Sequence, residues 1–71
     1  MPILMAHNGD DVTVAKITGN DSVKQRLGEL GFVAGTSVKV MQLKGGDMIV
    51  KIRNSKLALT REMAAKILVE M

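Results

Sequence analysis

The side chains able to bind a metal ion are concentrated near the N-terminus. His7, the only histidine, is followed by Asn8, Gly9, Asp10 and Asp11. Structural zinc sites use four Cys or His ligands, and non-haem ferrous sites commonly use two histidines and a carboxylate. One histidine and no cysteine cannot supply either set within a single copy. We therefore predict a solvated turn here and no resident cofactor, with a weak or subunit-shared Fe(II) site as the alternative.

Groups for nucleophilic or acid-base catalysis are equally sparse. Ser22 and Ser37 have no base available other than the distant His7. The aspartates fall in predicted turns, where carboxylates usually cap backbone amides or face water. The chain also lacks the Gly-Lys-Ser or Gly-Lys-Thr run that marks a phosphate-binding loop. We predict that the protein has no catalytic residues and is not an enzyme.

The charge balance gives a mild preference for acidic partners. Ten Lys and Arg against seven Asp and Glu give a net charge of +3. Small barrels that bind nucleic acid normally add aromatic stacking platforms, but Phe32 is the only aromatic residue, so we predict no nucleic-acid partner. Lys39, Lys51 and Arg53 share one face of a predicted hairpin. They either extend into water or meet an acidic partner.

Length and composition limit the architecture and the compartment. A chain of 71 residues has room for one small domain, so we predict a single domain over residues 1–71. The absence of cysteine fits a reducing compartment. No uncharged stretch approaches the ~20 residues that span a bilayer. These features predict a cytoplasmic protein without direct membrane insertion.

The first half of the chain predicts a strand followed by a short helix. Residues 11–18 form a strand-like run whose buried parity shifts midway, which is typical of a β-bulge. Ser22 and Gln25 have the spacing of a capping box, so we expect the helix to begin near Val23. Gly31 supplies the left-handed position that ends it.

The middle of the chain predicts a β-hairpin. Gly45 and Gly46 join two strand-like runs, at 36–43 and 48–53. We predict a three-residue loop that includes Asp47, because this loop gathers the apolar residues on one face. It also places Lys39 opposite Arg53. The predicted buried face consists of Val38, Val40, Met48, Val50 and Ile52.

The last segment predicts a strand, a helical turn and a final strand. Leu57 and Leu59 alternate with polar or small residues, Thr60 can cap a brief helix, and Ile67 and Val69 follow in a strand-like run. Every predicted element is too short for an open sheet with covered faces. The expected fold class is mostly β with short helices, in a small SH3-like barrel of about five strands.

One pattern resembles the FeoA family. Arg-Leu-x-x-Leu-Gly-x-x-x-Gly-x-x-Val begins at Arg26, and Lys-Leu-Ala-Leu at 56–59 and Ile-Leu-Val at 67–69 extend the resemblance. The family comprises small cytoplasmic accessory proteins of bacterial ferrous-iron uptake. The resemblance implies a regulator that binds FeoB, a membrane permease with a cytoplasmic GTP-hydrolysing domain. The family is also similar in fold to the C-terminal domain of iron-dependent repressors, so the alternative is a divalent-metal-sensing domain.

Two surfaces are candidates for partner binding. Phe32 and Val33 lie in the connector after the predicted helix, where bulky apolar side chains either plug the barrel or meet a partner. The second surface is the apolar tip of the hairpin. It could equally form a seam between two copies or be covered by residues 3–5. Its candidate residues are Met41, Leu43 and Ile49.

Overall fold

A computed structural model describes the backbone of residues 1–71 and every side chain except those of Leu43 and Lys44. A short 3-10 helix, Ile3–Met5, precedes the main elements. The strands and helices follow in the predicted order. They are β1 (Asp11–Ile17), α1 (Asp21–Glu29), β2 (Ser37–Lys44), β3 (Asp47–Ile52), β4 (Ser55–Leu59), α2 (Arg61–Lys66) and β5 (Ile67–Glu70).

The five strands form one antiparallel sheet in the order β4-β3-β2-β1-β5. The edge strands β4 and β5 do not pair with each other in the described structure. Instead α2, which joins them in the chain, packs against β3, β4 and β5 and so spans the gap between the two edges. The predicted class, mostly β with five strands and short helices, is confirmed.

The predicted irregularity in the first strand is confirmed at Ala15. Strand β1 pairs with β2 through Val12 and with β5 through Val14, and the register against β5 shifts between Val14 and Lys16. Ala15 is the extra residue, so the strand bends and twists more strongly there. This bend lets one strand pair with β2 near its start and with β5 over its second half.

The start of α1 differs from the prediction. Asn20, in extended conformation, caps the helix because its side-chain oxygen accepts a hydrogen bond from the Val23 amide at 2.9 Å. Ser22 already lies inside the first turn, so the predicted Ser22–Gln25 capping box is wrong. Gln25 donates to Glu29 instead, at 3.4 Å. Asn20 is a good capping residue two positions before Ser22, and it accepts a hydrogen bond from one of the free amides of the first turn.

Replacing Asn20 with Ala should therefore lower the free energy of unfolding by about 1 kcal/mol. For a domain of this size the melting temperature should fall by roughly 4–8 °C. Ser22→Ala is the matched control, and it should change the melting temperature little because Ser22 is not the cap. Thermal unfolding followed by circular dichroism measures both variants. A larger loss for Ser22→Ala than for Asn20→Ala would contradict this assignment.

The hairpin loop is one residue shorter than predicted. Lys44 pairs with Asp47, so only Gly45 and Gly46 form the loop, both with positive φ. Such two-residue turns match the twist of the flanking strands. Met41 is then left unpaired between the Val40–Val50 and Gln42–Ile49 pairs, as a second bulge.

This bulge explains why the predicted buried face is correct although the predicted loop is wrong. Without an extra residue, a two-residue loop would set apolar residues of β2 opposite charged residues of β3. Met41 shifts the register by one and restores the alignment. The residues that share the buried face are Val38, Val40, Met48, Val50 and Ile52.

The core also includes a segment that showed no sequence periodicity. Ile3 and Ala6 are fully buried, and the 3-10 helix packs against α2 and β5. The sequence left open whether this segment covers the hairpin tip, and its main contacts lie elsewhere. The backbone of Met1 accepts a hydrogen bond from the Val69 amide at 2.7 Å, and Pro2 bridges to Leu68. The start of the chain thus extends the sheet beyond β5.

Candidate partner-binding surfaces

The connector after α1 is held by a Schellman motif. The Phe32 amide donates to the Leu27 carbonyl and the Gly31 amide to the Gly28 carbonyl, both at 3.0 Å. Gly31 has φ 105°, the left-handed conformation that this motif requires. A side chain on residue 31 would be strained there, and its Cβ would also touch the Ile52 side chain at 3.4 Å.

This motif decides which connector side chain is available to a partner. Phe32 is 1% exposed and packs in the core with Leu27, the apolar contact that accompanies Schellman motifs. Of the two alternatives for Phe32, the structure places it as the plug, which removes it from the accessible candidate surface. Val33 is 46% exposed, and Leu30, the last residue before the Gly31 turn, is 40% exposed. Leu30 and Val33 form what we call the connector surface.

A positive charge lies beside the connector surface. The turn between β3 and β4 is Arg53-Asn54, one residue earlier than predicted, and Arg53 has φ 57°, an uncommon conformation for a residue with a side chain. Its guanidinium Nε lies 3.8 Å from the position that a Cβ on Gly31 would take. Arg53 therefore extends over the segment that links Leu30 to Val33, and the apolar pair has a basic border.

Met41 and Ile49, the two hairpin candidates whose side chains the structure describes, are less exposed than the connector surface. Met41 and Ile49 are half-buried. Met41 is the bulged residue of β2, and Ile49 pairs with Gln42 on one side and Ala58 on the other. The side chain of Leu43 lies outside the described residues. Partner contact at Met41 and Ile49 stays a prediction.

A row of lysines crosses the outer face of the sheet. Lys39 pairs with Lys51, and Lys51 pairs in turn with Lys56, so three neighbouring strands place a lysine side by side. All three side chains are exposed. The predicted pairing of Lys39 with Arg53 is wrong, because the shorter loop and the Met41 bulge each shift the register by one residue. We call Lys39, Lys51 and Lys56 the lysine row.

The candidate metal ligands form a small exposed turn. The His7 amide donates to Asp10 Oδ2 at 2.8 Å, and His7 Nδ1 lies 3.7 Å from the same oxygen. The Gly9 amide donates to the Val40 carbonyl at 2.7 Å, which ties the turn to β2. Among the side chains that the structure describes, no three His, Asp or Glu residues gather as a metal site. The absence of a resident cofactor stays a prediction, and a weak or shared Fe(II) site stays its alternative.

Solved structures with the same fold define the class. The chain superposes on a solution structure of a FeoA protein from Chlorobium tepidum with a TM-score of 0.91 and 26% identity, over all of this chain and 70% of that one. A zinc complex of Stenotrophomonas maltophilia FeoA is described as a procaryotic SH3 domain protein. It superposes on this chain with a TM-score of 0.86 and 25% identity, over 99% of this chain and 89% of that one. The protein is therefore a small SH3-like domain, as predicted.

The family follows from sequence. The model of the FeoA domain matches residues 1–71, and the chain is 35% identical to Fe(2+) transport protein A of Methanocaldococcus jannaschii over 97% of this chain and 84% of that protein. This chain belongs to the FeoA family, whose members are accessory proteins of ferrous-iron transport. It is also 33% identical to part of a Porphyromonas gingivalis protein described as a fusion of Fe(2+) transport protein A with the transporter FeoB. That match covers 92% of this chain and 8% of the fusion.

Proposed function

We propose that this protein is a cytoplasmic accessory factor that binds the cytoplasmic side of a FeoB transporter and regulates ferrous-iron uptake. The observation that carries the proposal is the Porphyromonas gingivalis fusion, in which a region similar to this chain is covalently joined to FeoB. A covalent link keeps two modules at high effective concentration, which is useful when they act on each other. Where the two modules are separate chains, a binding surface has to replace that link.

We propose that the connector surface makes this contact. Leu30 and Val33 are exposed apolar residues on a backbone that the Schellman motif holds, so little backbone entropy is lost when they are buried. Arg53 borders them and can pair with a carboxylate at the rim of an interface. A factor that binds one conformation of the transporter more tightly shifts the population toward it by that difference in affinity.

The experiment is an NMR titration of labelled protein with the cognate cytoplasmic domain of FeoB. We expect shifts of amide signals centred on Leu30 and Val33, and we expect Val33→Asp to weaken binding by about tenfold or more. Met5→Asp is the matched control, because Met5 is an equally apolar exposed residue, 65% accessible, on a different element. It should bind as the parent protein does.

Three results would count against the proposal. One is the absence of shifts with the FeoB domain, and another is an equal loss of affinity in Met5→Asp. The third is a set of concentration-dependent shifts at Leu30 and Val33 without FeoB, which would assign the connector surface to a homo-oligomer. Melting temperatures of both variants establish that each is folded before binding is compared.

We further propose that the protein acts by binding, without catalysis and without a resident cofactor. One histidine and no cysteine leave few ligands, and His7 and Asp10 meet only in an exposed turn. The rival function, divalent-metal sensing, predicts saturable broadening of the His7 and Asp10 signals by Fe(II) in the absence of oxygen, lost in Asp10→Ala. The accessory function predicts no saturable response in the parent protein.

A further inference from the structure

The lysine row has no charge partner within the described structure. Among the described side chains, the only basic nitrogen at salt-bridge distance from a carboxylate oxygen is His7 Nδ1, 3.7 Å from Asp10 Oδ2. Asp11 pairs with Lys39 across β1 and β2 but forms no such contact with it. Like charges placed directly opposite each other destabilise a sheet. Lys51 lies between Lys39 and Lys56, so the sheet contains two of these repulsive pairs.

The spacing of the row is regular because the sheet sets it. Neighbouring strands lie about 4.8 Å apart, so the three lysine positions span about 10 Å in a straight line across the strands. Along an α-helix, residues at i, i+4 and i+7 also span about 10.5 Å on one face, at 1.5 Å per residue. Three acidic side chains at those helix positions therefore match the three lysines one to one.

We propose that the lysine row is a docking site for a partner helix with an acidic stripe, lying across β2, β3 and β4. Each helix carboxylate meets one lysine, which relieves the repulsion within the row. Ile49 and Ala58, which pair with each other next to Lys51 and Lys56, give the helix a small apolar contact beside the stripe. This site is separate from the connector surface and does not depend on FeoB being the partner.

A protein helix fits the row better than a nucleic acid does. The single aromatic residue is Phe32, and it is buried, so no aromatic side chain is available on this face to stack on a base. The row is also short, whereas nucleic-acid binding usually follows a longer basic track. The half-buried Ile49 beside the lysines favours a partner that presents apolar and acidic side chains together.

The test uses the whole protein and two synthetic helical peptides of the same composition. One peptide carries glutamates at i, i+4 and i+7, and the other carries them at i, i+2 and i+5, which spreads them around the helix. At low ionic strength we expect the striped peptide to shift the amide signals of Lys39, Lys51 and Lys56. We expect it to bind about fivefold or more tightly than the control peptide.

Matched variants distinguish an effect of the lysine row from an effect of the protein's net charge. Lys51→Gln should weaken binding of the striped peptide by about fivefold. Lys24→Gln removes the same charge from the exposed face of α1 and should change the affinity for that peptide by less than about twofold. Lys51→Gln should also raise the melting temperature, because it removes both repulsive pairs. A gain in stability together with a loss of binding is the expected signature of the site.

The inference is overturned if both peptides bind with equal affinity, or if Lys24→Gln weakens binding as much as Lys51→Gln does. It is also overturned if neither peptide shifts the amide signals of the lysine row. It would also be overturned if a single-stranded oligonucleotide or anionic phospholipid vesicles bound the lysine row more tightly than the striped peptide does. Failure of FeoB to bind the connector surface leaves the peptide result unaffected, so the two proposals fail separately.

Discussion

Replacement of Phe32 by alanine is expected to destabilise the protein by about 3–5 kcal/mol. Phe32 is the largest fully buried side chain, and its loss leaves a cavity where the connector meets the core. The total stability of a 71-residue domain is roughly 4–11 kcal/mol at the usual 0.05–0.15 kcal/mol per residue. This one substitution should therefore remove a large fraction of it. Urea unfolding, with the midpoint and slope both fitted, measures the loss.

The neighbouring residue provides the control for this prediction. Val33→Ala changes an exposed side chain in the same turn and should alter the free energy of unfolding by no more than about 0.5 kcal/mol. The two variants together test the assignment of Phe32 to the core and of Val33 to the surface, which is a division of the connector into a buried and an exposed residue. Equal losses for Phe32→Ala and Val33→Ala would mean that this division is incorrect.

Replacement of Ile3 by alanine should cost about 2–5 kcal/mol, although the residue lies near the start of the chain. Ile3 is 0% exposed, and the helix that carries it packs against α2 and β5. A terminal segment that was only loosely attached would tolerate the change. The same urea experiment gives the loss, and hydrogen exchange at the Val69 amide, bonded to Met1, reports whether the segment detaches.

Met5→Ala is the comparison for Ile3→Ala. Met5 belongs to the same 3-10 helix but faces outward, so its truncation should have little effect on the unfolding midpoint. If Ile3→Ala is as harmless as Met5→Ala, the segment does not belong to the cooperative core. Protection of the Val69 amide would then be lost at little cost in global stability.

The sequence predicted the elements well where local patterns decide them. The bulge in β1, the Gly31 helix end and the Thr60 cap of α2, which accepts from the Met63 amide at 3.3 Å, each depend on a few neighbouring residues. The burial of Ile3 could not be predicted, because six residues show no periodicity and only the packing of distant elements covers them. The Asn20 cap was missed because Ser22 offered a competing pattern.

Only part of the candidate site could be predicted from local sequence patterns. The burial of Phe32 had a usable signal, since Gly31 at a helix end with apolar residues at Leu27 and Phe32 predicts the Schellman contact. The lysine row had none. Its alignment depends on the two-residue loop together with the Met41 bulge, and the resulting shift of two residues replaces Arg53 by Lys51 opposite Lys39.

The position of β4 at the edge of the sheet has a further consequence for the behaviour of concentrated samples. Of the described strands, only β3 pairs with β4, so its other edge can template pairing with a second chain. A charged lysine on such a strand discourages aggregation, because two edges in contact would bring cations together. Lys56 thus helps to keep the edge solvated, and acetylation of its amine would remove that protection while leaving the backbone hydrogen bonds to β3 intact.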